Sequence, residues 1–288
     1  MALASKTRLQ IIELLAQQPM NIINLRKKLG VSSAMISKHV KQMEEAGILE
    51  CETLPGERGN QKICKLALSE LTLAFNPLPE IEQYEEHVIP VGSFVDYTVK
   101  PPCGLASSER YIGFLDDTRS FSLPDRSEAS LVWFNSGYVM YRIPCFIPQT
   151  FKVNRIEISL EICSETTLYN EEYPSDITFE LNGLFVGMWT SPGDLGKTRG
   201  IFNPAWWSDK DTQHGLLKTL TINDRGSYID GILQSGTTAE QVMAIKQNDI
   251  SLRIANYDSA NNVGGINLFG KYFGNYKQDI DVRICYQK

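Results

Sequence analysis

Short amphipathic stretches, each ended by a helix-breaking residue, fill the first fifty positions and restrict the fold of this chain more than any other feature. Pro19, Gly30 and Gly47 each follow a stretch in which apolar residues recur every three or four positions. This spacing predicts three helices, over residues 6–17, 22–29 and 33–46. The second and third are joined by a short turn that contains glycine, which is the arrangement of a helix-turn-helix.

The third predicted helix has two faces of different chemistry. Its apolar positions, which we expect to pack inward, are Ile36, His39, Val40 and Met43, with His39 as a hydrogen-bonded packing residue. The opposite face is small near the helix start and basic further along, as a helix that enters the major groove of DNA requires. A solvated face of an ordinary helix is the alternative. The predicted DNA contacts are Ser32, Ser33, Ala34, Ser37, Lys38 and Lys41.

A predicted hairpin follows this helix and favours the DNA-binding interpretation. Two alternating stretches, residues 48–54 and 61–66, flank a turn at residues 55–60. A hairpin directly after a recognition helix is a wing, so we predict further contacts with the DNA backbone or minor groove. These contacts are assigned to Arg58, Asn60 and Lys62.

Six cysteines are present, and none form a C-x-x-C pair, which argues against a zinc ribbon or a thioredoxin-type site. Cys51 and Cys64 lie at equal distances from the centre of the predicted turn. They would face each other across a regular hairpin. Whether they form a reversible disulfide that stiffens the wing stays open, because thiols of cytosolic proteins are usually reduced.

Residues 5–68 resemble the winged helix-turn-helix of the ArsR family of bacterial transcriptional regulators. The resemblance lies in three segments, Thr7–Leu15, Leu29–Val40 and Glu45–Leu49. It implies a dimer that binds double-stranded operator DNA. The residues that the resemblance places nearest the bases are Ser33, Ala34, Ser37 and Lys38. Metal-sensing members carry a Cys-x-Cys pair in the helix before the recognition helix; residues 21–28 contain no thiol here, so we expect the regulatory signal to enter elsewhere.

Charge is divided unevenly along the chain. Residues 1–70 contain ten Lys and Arg against seven Asp and Glu, a net charge of +3, whereas the rest of the chain carries −9. A single module of +3 would bind DNA weakly at cellular salt, so a two-fold dimer on a palindromic site is expected. The chain shows no basic-then-apolar leader and no apolar run of the ~18 residues that a membrane helix needs, which predicts a cytoplasmic protein without a membrane partner.

Beyond residue 88 the helical spacing gives way to strand alternation. Residues 155–162 place apolar side chains on one face only, and turn signals such as Asn182-Gly183 separate the stretches. The pattern predicts an antiparallel, jelly-roll-like β-sandwich, and hence an α+β multidomain fold. The predicted divisions are a winged helix domain at 1–76, a linker at 77–87 and the sandwich at 88–288. The candidate strands are Leu131–Asn135, Tyr138–Ile143, Val153–Cys163, Ile177–Trp189, Leu216–Asn223, Ile250–Asn256 and Ile280–Tyr286.

Three of the four tryptophans fall within nineteen residues of the β-rich region. Indole rings stack on the flat apolar faces of sugars, while carboxylate, amide and guanidinium groups bond the hydroxyls. The stretch resembles the jelly-roll carbohydrate-binding modules, which implies a small, sugar-like effector. The predicted ligand-binding residues are Trp189, Asp194, Arg199, Trp206, Trp207 and Asp209. The alternative, that the tryptophans only fill the interior, is equally open.

Motifs for a catalytic nucleophile, a P-loop, a dinucleotide site or a zinc protease do not occur in the sequence. We therefore predict no catalytic residue, no metal and no cofactor, and favour a DNA-binding transcriptional regulator, a repressor, whose β-sandwich senses a ligand. Two alternatives remain for the sandwich: a carbohydrate-active enzyme, and a structural module for oligomerisation. The sequence leaves open the operator, the effector, the dimer interface and the choice between repression and activation.

Overall fold

A computed structural model of the chain describes residues 5–56, 59–68, 83–245 and 249–288. The chain divides into two compact units, Met1–Leu78 and Pro79–Lys288. The predicted linker at 77–87 lies outside the described residues as far as residue 82, and residues 83–87 belong to a strand of the second unit. No helix in the described part of the chain is long and apolar enough to cross a membrane.

The first unit contains the predicted helix-turn-helix and hairpin. Its elements are α1 (Lys6–Gln17), β1 (Met20–Asn21), α2 (Ile22–Leu29), α3 (Ser33–Glu45), β2 (Leu49–Gly56) and β3 (Gly59–Leu66). The three strands form a small antiparallel sheet with β3 in the centre. The predicted combination of a winged helix-turn-helix with an antiparallel β domain is confirmed as the fold class.

Local side-chain chemistry explains where the helices of this unit begin and end. Asn21 and Ser32 each accept a hydrogen bond from the backbone N–H three residues later, at 2.8 and 3.3 Å, which caps α2 and α3. Gly30 adopts the left-handed conformation with φ +67°, and its N–H donates to the carbonyl of Arg26 at 2.9 Å. These caps hold α2 and α3 at the turn that the sequence predicts.

One apolar cluster joins the helices to the sheet. Its buried members are Ile11, Leu15, Met20, Leu25, Ile36, Val40, Met43, Ile48, Leu49 and Cys64. His39, on the same side of α3, is half-buried, and its Nδ1 lies 3.4 Å from Nη1 of Arg8. Burial and the charges of Arg8 and Lys38 hold the pKa of His39 below its usual range, so it packs as a neutral, hydrogen-bonded ring.

The second unit is a β domain with one short helix. Its strands are β4 (Gln83–Ile89), β5 (Asp96–Ala106), β6 (Leu131–Pro144), β7 (Lys152–Cys163), β8 (Ser175–Leu181), β9 (Leu184–Ser191), β10 (Leu216–Ile222), β11 (Ser227–Ile229), β12 (Ile232–Ser235), β13 (Asp249–Asn256), β14 (Ile266–Phe269) and β15 (Ile280–Gln287). Two 3₁₀ turns (Thr118–Ser122 and Pro124–Glu128) and helix α4 (Ala239–Ile245) complete it. In the described residues, every strand pair is antiparallel and the twelve strands form one sheet, which is nearly barrel-shaped.

Strand β14 connects the two halves of this sheet and positions the site described below. It pairs with the first part of β6 on one side and with the end of β7 on the other. Asn267 of β14 therefore lies opposite Trp133 of β6 and Cys163 of β7. A secondary apolar cluster lies at this end of the domain and contains Ala106, Leu131, Trp133, Cys163, Trp207, Phe269 and Phe273.

Candidate functional site

The outward face of α3 presents the residues that the sequence predicts for DNA contact. Ile36, Val40 and Met43 are buried, which turns the opposite face to solvent. The exposed residues on or next to that face are Ser32, Ser33, Ala34, Ser37, Lys38 and Lys41. Small side chains at the helix start followed by lysines suit a helix that approaches base edges with its N-terminal end.

The wing contributes less exposed charge than the sequence suggests. Nζ of Lys62 donates to Oε2 of Glu44 in α3 at 2.6 Å, and this bond raises the pKa of Lys62. Lys62 therefore links the wing to α3 through an ion pair and is not an unpaired cation on the wing surface. Arg58 lies outside the described residues, and Asn60 is described only as a backbone position of β3, opposite Pro55.

A basic groove between α2 and α3 was not predicted from the sequence. It is lined by Ile23, Arg26, Lys27, Gly30, Val31 and Ser32. The groove combines two cations of α2 with the N-terminal end of α3, whose free N–H groups carry partial positive charge. Its signal in the sequence is the basic run Arg26-Lys27-Lys28 in the last turn of α2.

A cleft of about 180 Å³ opens beside β14 in the β domain, and we call it the aromatic cleft. Its lining residues are Pro102, Tyr111, Leu115, Asp116, Trp133, Glu165, Thr166, Thr167, Trp207, Asp211, Thr212 and Asn267. Of the predicted ligand-binding residues, Trp207 is in this set. The other lining residues come from β5, the β5–β6 connection, β6, the segment after β7, the β9–β10 connection and β14, so segments far apart in the chain meet here.

Rings packed edge to face form one wall of the aromatic cleft. The ring centroid of Trp207 lies 6.1 Å from that of Trp133 and 5.6 Å from that of Tyr111. Trp206 packs against Tyr111 at 5.0 Å and is itself 36% exposed, whereas Trp207 is 4% exposed. Indole Nε1 of Trp207 donates to the carbonyl of Thr212 at 2.8 Å, which fixes the orientation of the ring. Trp207 therefore both fills the interior and lines the cleft.

Carboxyl groups also line the aromatic cleft. Burial, together with the nearby charges of Asp194, Asp211 and Asp116, raises the pKa of Glu165 well above its usual range. Burial also raises the pKa of Asp211. The lining residues include these three carboxyl groups, of Asp116, Glu165 and Asp211, and no lysine, arginine or histidine.

Asn267 is a fully buried residue among those that line the aromatic cleft. Its Nδ2 donates to Oε2 of Glu165 and to the backbone carbonyl of Ser164, both at 2.7 Å. Because a backbone carbonyl can only accept, these two bonds settle which end of the amide is nitrogen. The amide oxygen Oδ1 is buried and has no hydrogen-bond partner among the described residues.

The remaining predicted ligand residues do not line the aromatic cleft. Arg199 donates to the carbonyl of Trp207 at 3.2 Å and pairs with Asp209, so the two residues brace the loop that carries Trp206 and Trp207. Their assignment as ligand contacts stays a prediction.

Trp189 and Asp194 also lie elsewhere than in the cleft lining. Trp189 packs against the main core of the domain, with Nζ of Lys218 4.6 Å from the centre of its ring. Asp194 is fully buried, and its Oδ2 accepts from the N–H of Thr166 at 3.1 Å. Burial raises the pKa of Asp194 to about 7. Within the described ranges, no group of three or more His, Cys, Asp or Glu side chains lies close enough together to hold a metal ion.

Comparison with known proteins decides the nature of the first unit. The family described as bacterial regulatory protein, arsR family, matches residues 5–50. Residues 5–50 form an ArsR-type DNA-binding helix-turn-helix. The matched range includes α1, α2 and α3, and so contains the exposed face of α3 and the basic groove. No curated protein matches the sequence.

Solved structures that resemble the β domain do so distantly. The CBM36-1 domain of a multidomain xylanase from the hindgut metagenome of Trinervitermes trinervoides is 9% identical, with a TM-score of 0.31, over 69% of this chain and 96% of that domain. A carbohydrate-binding module CBM36 in complex with calcium and xylotriose is 9% identical, with a TM-score of 0.30, over 70% and 98%. The insecticidal delta-endotoxin Cry8Ea1 from Bacillus thuringiensis is 10% identical, with a TM-score of 0.30, over 83% and 30%. Similarity this low carries no functional conclusion, so the chemistry of the cleft rests on its own residues.

Cysteines in the wing of the ArsR-type unit lie where the sequence predicts. Cys51 and Cys64 are paired directly across the hairpin, and both are free thiols. Burial raises the pKa of Cys51 and raises that of Cys64 to about 12. Because the thiolate is the form that reacts, this environment slows oxidation.

We accordingly expect Cys51 and Cys64 to stay reduced when the folded protein is treated with hydrogen peroxide at pH 7. Mass spectrometry after alkylation should find both thiols free. The same treatment in urea, where burial is lost, should oxidise them. A disulfide that forms readily in the folded protein would show that the wing acts as a redox switch.

Proposed function

We propose that this protein is a transcriptional repressor that binds operator DNA as a homodimer and releases it when its β domain binds a small effector. The observation that carries the DNA part is the exposed face of α3 within an ArsR-type helix-turn-helix. Small residues at its start leave room for the backbone to approach base edges, and Lys38 and Lys41 lie further along the same face.

The basic groove supplies the contacts that orient α3 on the duplex. In a helix-turn-helix the first helix crosses the DNA backbone while the second enters the major groove. Arg26 and Lys27 of α2 are placed to meet a phosphate that also faces the N-terminal end of α3. We therefore add these two residues to the DNA-binding set.

The small positive charge of a single winged-helix unit favours binding to DNA as a dimer. Each phosphate that a protein neutralises contributes to affinity, so a unit of +3 gains from binding as a symmetric pair on two half-sites. Sedimentation of the free protein and of its complex with operator DNA tests this. We expect two chains per palindromic site, and one chain per site would contradict the proposal.

The aromatic cleft is the proposed effector site. Its volume suits a ligand of monosaccharide size, its wall of Tyr111, Trp133 and Trp207 offers apolar faces for stacking, and its carboxyl and amide groups can bond hydroxyls. An effector controls DNA binding only if it binds the DNA-competent and DNA-incompetent dimers with different affinity. The proposal therefore includes a conformational difference between those two states.

Replacing Tyr111 by alanine tests the site without disturbing the core, because Tyr111 is 36% exposed. We expect a sugar that is identified by thermal-shift screening to bind Tyr111→Ala ~3- to 10-fold more weakly by calorimetry, since one aromatic contact is worth ~0.5–1.5 kcal/mol. Tyr84→Ala, on exposed β4 outside the cleft, is the matched control and should bind like the wild type. Equal affinity in Tyr111→Ala would place the ligand elsewhere, and no stabilising sugar would favour a structural module.

A carbohydrate-active enzyme is the second candidate function, and Glu165 is the observation that favours it. A buried carboxyl group with a raised pKa beside other carboxylates is typical of a general acid. Turnover of chromogenic glycosides that is lost in Glu165→Gln would support the enzyme. Absence of turnover in the wild type would exclude the glycosidase and favour effector binding as the function of the β domain.

A further inference from the structure

Acidic and aromatic side chains line the aromatic cleft together, and basic ones are missing from its lining. We propose that the cleft selects an organic cation, a ligand that carries an ammonium group on a skeleton of monosaccharide size, over the neutral molecule of the same shape. This inference rests on the proposed function, because it assumes that the cleft binds the effector. What it adds to the proposed function is that the effector carries a positive charge.

Mutual repulsion among the carboxyl groups is the first observation that favours a cationic ligand. Asp116, Glu165 and Asp211 line one small cleft, and the fully buried Asp194 is near enough to Glu165 to act on its charge. Charged groups removed from water interact more strongly than on the surface, so repulsion is greatest at the buried Glu165, is smaller at the half-buried Asp211 and is weakest at the exposed Asp116. A positively charged ligand relieves that repulsion. A neutral ligand leaves it in place, and an anionic ligand adds to it.

The unpaired oxygen of Asn267 is the second and independent step. Oδ1 is a buried acceptor without a partner in the described part of the chain, and the amide cannot turn to remove it because Nδ2 is bonded to the carbonyl of Ser164. A buried acceptor left unpaired is costly, so it marks the place of a missing donor. An ammonium group carries three donors, which suits one amide oxygen together with carboxylates.

The aromatic wall is the third step. Cations are attracted to the faces of tryptophan and tyrosine rings, and the attraction grows when water is excluded. Trp133 and Trp207 are nearly buried and their orientations are held by ring packing at 6.1 Å. The cleft thus combines aromatic rings with carboxyl groups that a bound cation would favour in their ionised form, which is the combination that recognises organic ammonium groups.

Matched pairs of probes test the charge of the ligand separately from its shape. We would measure thermal shifts of the full chain, at equal ionic strength, with D-glucosamine against D-glucose, D-galactosamine against D-galactose, and ethanolamine against ethylene glycol. Calcium chloride is included as a metal-ion probe. We expect the amine of at least one pair to stabilise the protein more than its neutral partner does.

Single substitutions then locate the effect. Asp211→Asn should weaken binding of the amine at least fivefold, and Asp211 is partly exposed, so this variant is expected to fold even if Glu165→Gln does not. Asp224→Asn, on an exposed turn outside the cleft, is the matched control and should bind like the wild type.

The outcomes separate this inference from the proposed function. Neutral partners that bind as well as the amines would overturn the cation preference and leave an effector site for neutral ligands. A full panel without any shift would overturn both. Stabilisation by calcium alone that Asp211→Asn removes would show a metal-ion site and overturn the organic cation.

Discussion

Replacing Lys38 by glutamate is expected to lower the affinity of the protein for its operator by ~30-fold or more. Lys38 lies on the exposed face of α3, on the side of the helix opposite the buried residues. The substitution removes a cation and places a carboxylate next to phosphates, and in the proposed two-fold dimer the change occurs twice. Fluorescence anisotropy at fixed salt, on an operator selected by the wild-type protein from random duplexes, measures the loss.

Salt dependence and a matched variant make this prediction specific. The slope of log affinity against log salt should be shallower by ~1 for each phosphate contact that is lost. Lys152→Glu changes the net charge equally, but Lys152 is the exposed first residue of β7 in the β domain, so this variant should bind operator nearly as well as the wild type. If Lys38→Glu keeps full affinity, the docking of α3 is wrong. If both variants lose affinity alike, only net charge matters.

The first unit could be predicted almost completely because local chemistry determines it. Asn21, Gly30 and Ser32 each act on the backbone within four residues of themselves, so their sequence positions suffice to place the helix ends. The register of the wing followed from its turn in the same way, and the pairing of Cys51 with Cys64 is confirmed. Lys62 was less predictable because its partner Glu44 lies in another element.

Only some strands of the β domain could be predicted from the sequence. β7 shows the alternation clearly. β14 is four buried residues without alternation, and its pattern does not distinguish it from a loop. Two predicted strands, 131–135 and 138–143, are one strand, β6, because Gly137 with φ +111° lets the chain continue where a turn was expected. The predicted stretch 177–189 is two strands that meet at the Asn182-Gly183 turn.

The aromatic cleft was only partly predictable for the same reason. Trp207 lies in the tryptophan-rich stretch, but Trp133, Glu165 and Asn267 come from three separate segments that β14 brings together. No spacing in the chain relates them. Trp189 shares the stretch with Trp207 but packs against the main core, since Trp189 lies on β9 whereas Trp207 lies in the connection between β9 and β10.

The free energy of unfolding of the β domain is expected to fall as pH rises from about 5 to 7.5. Burial raises the pKa of Asp194 and of Glu161 to about 7, and it also raises the pKa of Glu165 well above its usual range. Glu161 accepts hydrogen bonds from the backbone N–H groups of Gly215, Asn275 and Tyr276, which oppose this rise without cancelling it. In the unfolded chain these groups titrate near pH 4.

The sign of the effect follows from proton binding. Between pH 5 and 7 the folded domain holds protons that the unfolded chain has released, so stability is fully present below the unfolded pKa and is lost as pH rises through the folded pKa. One pKa unit corresponds to ~1.4 kcal/mol, so Asp194 and Glu161 each contribute a loss on the order of 2 kcal/mol across this range. Asp117 and Asp258, whose pKa values are lowered by Arg119 and Lys100, have finished titrating below this range and do not mask the slope.

Urea unfolding followed by tryptophan fluorescence measures this slope, because all four tryptophans lie in residues 133–207 and report on the β domain alone. Asp194→Asn keeps the size of the side chain and cannot titrate. The free energy of unfolding of this variant should therefore fall less with pH, by about the contribution of one carboxyl group. Asp258→Asn removes an exposed carboxylate that is ionised throughout and should leave the slope unchanged. Stability that stays level or rises across the range would mean that the buried carboxylates are ionised in the folded protein, held by backbone N–H donors strongly enough to outweigh their loss of water.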